Sequence, residues 1–114
     1  MGGGILTMLT DFGLEGSYVA EMKGVVMGLV PDARIVDVTH FIAPQAIRQA
    51  AFVLSSVVDA FPAGTVHLAV VDPGVGTNRR LIAVSTVDQW FVLPDNGLVG
   101  EALRAHPPIG VWEI

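Results

Sequence analysis

The 114-residue sequence contains no cysteine, which excludes disulfides, thiolate nucleophiles and cysteine-bound zinc. Charge is scarce as well: 15% of the residues are charged, where about a quarter is usual. The six Lys and Arg residues form no run and the formal net charge is -5, so the electrostatic footprint of a nucleic-acid binder is missing. No segment approaches the roughly 18 uninterrupted apolar residues of a membrane-spanning helix. The start, MGGGILTML, has neither the charged n-region nor the cleavage site of a secretory signal. These absences lead to the expectation of a cytoplasmic protein, with residues 1–3 an added or disordered start and residues 4–114 forming one domain around one core.

What is present is apolar, at 52% of the chain. A chain with so little charge to cover its surface is expected to hide part of it against a partner, and a homo-oligomer fits better than a membrane. Ile5 to Leu9 has the character of a short buried strand ending at Thr10-Asp11-Phe12-Gly13. Tyr18, Met22, Val25, Val26 and Leu29 then recur at helical spacing, and Pro31-Asp32 ends that helix. Ala33 to Val38 alternates as a second strand up to Thr39-His40. Pro44 suits the first turn of a second helix, whose stripe is Ile47, Ala51, Leu54, Val58 and Phe61.

Thr65 to Val71 predicts a third strand; Leu81 to Thr86 and Trp90 to Leu93 predict two more, joined by Val87-Asp88-Gln89. Pro94-Asp95-Asn96-Gly97 is a turn before a short helix to about Ala105, and Ile109 to Ile114 is a last strand. The order β-α-β-α-β-β-β-α-β implies an α/β fold, three-layered, with a largely parallel sheet. Ligands of such sheets bind beyond the carboxyl ends of the strands. Polar loops with acids lie at three such ends, at Asp11, at Asp37-Val38-Thr39-His40 and at Asp72-Pro73-Gly74-Val75-Gly76.

Each loop carries an ordinary reading beside a chemical one. Asp11 is either a turn or capping acid or a carboxylate that accepts bonds from a vicinal diol such as ribose. The kinase reading of Asp11-Phe12-Gly13 fails, because no glycine-rich or catalytic loop precedes it. Gly74-Val75-Gly76 completes neither the dinucleotide fingerprint nor the nucleotide-triphosphate loop. Asp72 either staples the loop to Arg79 or, with Arg79 fixing its charge and orientation, holds a water. His67 is expected in the core, His106 at an exposed helix end and His40 near the rim, with no metal-binding spacing among them. Asn96 before Gly97 fits a turn.

Five segments in order, TDFG at 10–13, YVAEMKGV at 18–25, IVDVTH at 35–40, FPAGTVHLAVVDPGVGTNRR at 61–80 and PDNGL at 94–98, resemble the S-adenosylmethionine hydroxide adenosyltransferases. These adenosine-forming hydrolases are relatives of the fluorinases and chlorinases. The resemblance implies the N-terminal α/β domain of that family, without its C-terminal β domain, and hydrolysis of S-adenosyl-L-methionine to adenosine and L-methionine. Asp11, Asp72 and Asn96 are then substrate-binding, and Asp72 and Arg79 are the catalytic pair that positions water. Fluorinases carry a tyrosine at the Asp72 position, no arginine at the Arg79 position and an insertion before the PDNG-like loop, which favours water over halide here.

The family's catalytic histidine lies in a segment beyond Ile114 and matches none of His40, His67 and His106. The β domain completes the ligand site across a subunit interface, so this chain is expected to be the front part of an enzyme. No cofactor and no metal is implied, S-adenosylmethionine being the substrate, and the assembly implied is a homotrimer. The rival expectation is a nucleoside-binding or assembly fragment without turnover.

Overall fold

A computed structural model describes residues 4–71 and 80–114. The described elements follow the expected order: β1 (Ile5–Thr10), α1 (Tyr18–Leu29), β2 (Arg34–Thr39), α2 (Ile47–Val58), β3 (Val66–Val70), β4 (Leu81–Ser85), β5 (Trp90–Pro94), α3 (Gly100–Ala105) and β6 (Gly110–Glu113). They build one six-stranded sheet of order β2-β1-β3-β5-β4-β6. β1 pairs in parallel with β2 and β3, and β3 with β5. β4 alone runs the other way, antiparallel to both β5 and β6, so the sheet is largely parallel as expected. The reversal follows from the connection: Thr86 to Gln89 is too short for a crossover, and Thr86 N–H donates to the Gln89 carbonyl in a tight hairpin.

From β1 the chain moves to one side to form β2, then crosses back over β1 to form β3. Right-handed crossovers in opposite directions put α1 and α2 on opposite faces of the sheet. This order also makes the gap between β1 and β3 the point where the winding reverses, the place where open α/β sheets accept ligands.

The two faces differ in quality. On one, α2 and α3 cover a core of Leu9, Leu54, Ala69, Val71, Val84, Phe91, Leu93 and Leu98, each large side chain contributing about 2 kcal/mol by leaving water. The α2 stripe is buried as expected at Ala51, Leu54 and Val58. On the other face the α1 stripe is not: Val19 is the one buried residue of that helix, while Tyr18, Val25 and Leu29 are exposed. Trp90 and Trp112 stack with centroids 5.4 Å apart and stay half-exposed. The Trp112 ring lies where a side chain on Gly110 would sit, so a larger residue there would push the ring aside.

Among the described residues, every buried side-chain polar atom has a partner. His67, fully buried, bonds Thr7 Oγ1 through Nδ1 at 2.7 Å and Gln89 Oε1 through Nε2 at 2.7 Å. Gln89 Nε2 in turn donates to the Val58 and Phe61 carbonyls. The network assigns the proton to Nε2 and lets the Thr7 hydroxyl donate to Nδ1, so the imidazole is neutral. Burial holds its pKa below the ordinary 6.5, partly offset by the Gln89 bond. His67 is thus the core histidine expected from its place in mid-strand.

Candidate functional site at the carboxyl rim

The carboxyl ends of β1, β2, β3 and β5 bring four connections to one rim. Residues 11–17 follow β1, 40–46 follow β2, and 95–99 follow β5. The connection after β3 begins with Val71, and residues 72–79, including Asp72 and Arg79, lie outside the described residues.

Asp11 stands beyond β1 and helps line a cleft of about 360 Å³ together with Phe12, Glu15, His40, Phe41 and Pro44. Its Oδ2 accepts the backbone N–H of Gln45 at 2.9 Å. Gln45 is the one described non-glycine residue with positive φ, at 62°. That conformation costs about 1–2 kcal/mol for a residue with a Cβ, and it breaks the path into α2. Pro44 therefore does not sit in the first turn as expected, and the helix begins at Ile47. The strain is spent on turning one N–H toward the Asp11 carboxylate, whose Oδ2 accepts it.

Asn96 lies across the rim. Its Nδ2 donates to the Val71 carbonyl at 2.9 Å, and its Oδ1 accepts Leu98 N–H at 3.1 Å. The side chain therefore closes its own turn and also ties that turn to the end of β3, the root of the Asp72 connection. Arg80, at the other root, donates to Asp95 Oδ2 at 2.9 Å, and Asp95 N–H donates to the Arg80 carbonyl. Both roots of residues 72–79 are thus fastened to the PDNG turn.

The third acid is placed differently from the sequence reading. Asp37 is inside β2 rather than in a loop, and its carboxylate accepts Lys23 Nζ at 2.6 Å and His40 Nε2 at 2.7 Å. Burial opposes the charge, yet the bonds from Lys23 and His40 outweigh it and hold the carboxyl below its usual 3.8. His40 is buried and reaches Thr10 Oγ1 through Nδ1 at 2.8 Å. Thr10, Lys23 and Gln45 were not legible as site residues, because each acts through an atom that neither periodicity nor loop chemistry marks.

His106 pairs with Asp59 at 2.8 Å beside a smaller cleft of about 180 Å³ at the opposite end of β3 and β5. It is therefore remote from the rim. Among the described residues, no helix is long and apolar enough to cross a membrane.

The SAM hydroxide adenosyltransferase N-terminal domain matches residues 6–114. The chain belongs to that family. It is 48% identical over 100 residues to an (R)-S-adenosyl-L-methionine hydrolase of Salinispora tropica, covering 88% of this chain and 38% of the relative. A crystal structure of an uncharacterized conserved protein from Thermotoga maritima superposes with a TM-score of 0.92 at 41% identity, covering 96% of this chain and 42% of that one. A fluorinase of Nocardia brasiliensis is more distant, 25% identical over 133 residues, covering 96% of this chain and 44% of the relative. The chain thus spans less than half the length of the relatives it matches. Membership of the adenosyltransferase family agrees with the resemblance drawn from the five segments, and the mixed sheet with its helices is that family's N-terminal fold.

Proposed function

We propose that this chain carries the nucleoside-binding part of an adenosine-forming S-adenosylmethionine hydrolase. The observation that carries the reading is the Asp11 carboxylate at the β1–β3 switch point, lining a cleft with its Oδ2 fixed by Gln45 N–H. A diol donates two hydrogen bonds, and a carboxylate pinned at one oxygen presents a fixed acceptor for them. The name of the Salinispora relative supports the same chemistry.

In the reaction, a water oxygen forms a bond to the ribose 5′-carbon while the carbon–sulfur bond breaks. Sulfur leaves with the electron pair as the thioether of methionine, and the water proton passes to a base. A sulfonium is already a good leaving group, so the protein's task is to hold water in line and limit competing solvent. Asp72 is the base or acceptor in this reading, and Arg79 fixes its orientation and disfavours its protonation. Asn96 serves the substrate through the loop root it holds at Val71.

The same reading includes a homotrimer, supported by the exposed apolar surface of α1 and of the Trp90–Trp112 face. It also includes a cytoplasmic location, where an intracellular metabolite such as S-adenosylmethionine is met. The decisive experiment is chromatography of S-adenosylmethionine after incubation with the protein. Adenosine and methionine in equal amounts are expected, and methylthioadenosine or homoserine lactone would overturn the chemistry. Binding of adenosine without any product would make the chain a nucleoside-binding module instead.

A further inference from the structure

The sheet rim contains a second charged assembly besides Asp11, and it runs in one line from solvent to the buried strand ends. Lys23 on α1 donates to Asp37 on β2, Asp37 accepts from His40 Nε2, and His40 Nδ1 meets Thr10 Oγ1 at the end of β1. With the Nε2 proton committed to Asp37, Nδ1 accepts and the Thr10 hydroxyl donates. That leaves the lone pairs of Thr10 Oγ1 to accept Phe12 N–H at 3.2 Å. His40 also receives the next amide, since its carbonyl accepts Gly13 N–H at 2.7 Å. Thr10 and His40 are both almost wholly removed from solvent, so breaking the line would leave a buried polar group unpaired.

The line therefore ends on the two amides that follow Asp11 in the chain, while Gln45 holds the Asp11 side chain from the opposite side. Satisfying a buried imidazole would need only two partners of any kind. Here Nδ1 of its ring and its carbonyl both bond residues of the 10–13 stretch. We propose that Lys23, Asp37, His40 and Thr10 are positioning residues that fix the main chain around Asp11, and so fix where its carboxylate stands in the cleft. Lys23 anchors the outer end, keeping Asp37 directed at the ring. The consequence for ribose recognition rests on the reading of Asp11 given above; the mechanical role does not.

The test uses Thr10→Val, which keeps the shape and removes the hydroxyl, with Thr10→Ser as the conservative partner. Amide hydrogen exchange of the 114-residue chain supplies the ligand-independent readout. In Thr10→Val, exchange at Phe12, Gly13 and Gln45 is expected to quicken at least about fivefold more than at core amides of β4 and β5. Thr10→Ser should restore slow exchange. The binding readout is the ratio of affinities for adenosine and 2′-deoxyadenosine, measured by calorimetry. Thr10→Val should lower that ratio by about tenfold, because an ill-placed acceptor loses the hydroxyl it was built to hold.

A uniform rise in exchange across the chain, or no rise at the three amides, overturns the positioning role. Asp37→Asn gives a second route if Thr10→Val does not fold, with the same amides expected to respond. Should wild-type protein bind neither nucleoside while the three amides still respond, the positioning line stands and the ribose reading of Asp11 falls.

Discussion

Replacing Asp11 by Asn separates a ribose acceptor from a turn acid, and the structure sets the size of the effect. Asp11 Oδ2 is committed to Gln45 N–H at 2.9 Å. An asparagine keeps that bond only by turning its Oδ1 toward Gln45, which points Nδ2 into the cleft. The group offered to the diol then changes from an acceptor to a donor. Hydrogen bonds to ionised groups contribute about 1.5–3 kcal/mol and neutral ones about 0.5–1.5. For two ribose hydroxyls in an open, partly solvated cleft, the loss is about 1.5–2 kcal/mol, or roughly 10- to 30-fold in Kd.

Stability should change by no more than about 0.5 kcal/mol, since the side chain's bond to Gln45 N–H survives. Calorimetric titration of adenosine and 2′-deoxyadenosine, with urea unfolding on the same preparations, measures both quantities. A lost preference for adenosine with an unchanged unfolding midpoint is the expected pattern. An unchanged Kd with a lowered midpoint would refute the reasoning and return Asp11 to a structural turn.

In a complete enzyme, Asp72→Asn is expected to reduce single-turnover formation of adenosine by about 10²–10⁴-fold while leaving the Kd of S-adenosylmethionine within roughly threefold. A loss of melting temperature alone, with turnover per folded molecule intact, would make the loop a staple. Gln89→Leu should destabilise the fold by about 3 kcal/mol in urea titration, because it strips the buried His67 Nε2–H and the Val58 and Phe61 carbonyls of a partner; a cost below about 1 kcal/mol would contradict the assigned network. The lowered pKa of His67 also fixes a sign for acid stability. The unfolded chain takes up this proton first, so stability is full above pH 6.5 and declines as pH falls from there toward the folded value. That component of the pH dependence should vanish in His67→Phe, and its persistence would place its source elsewhere.

All nine described elements and the largely parallel sheet were determined by the local pattern of the chain. Short β-branched runs, two helical stripes and the turn chemistry at Pro31, Gly64 and Gly97 are properties of neighbouring residues. The five segments were likewise enough to identify the family, since their order and wording survive without coordinates. Even the burial of His67 followed from its position among alternating apolar neighbours.

Tertiary structure decided what depends on residues far apart in the chain. The start of α2 moved from Pro44 to Ile47 because Gln45 turns its amide toward Asp11, 34 residues away. Asp37 left the set of rim acids because Lys23, 14 residues back, and His40 claim its oxygens. The α1 stripe has perfect helical spacing and yet stays largely exposed, because spacing reports which side is apolar and not what covers it. Periodicity records the preferences of single side chains, whereas a site is made of hydrogen bonds whose partners only the folded chain brings within 3 Å.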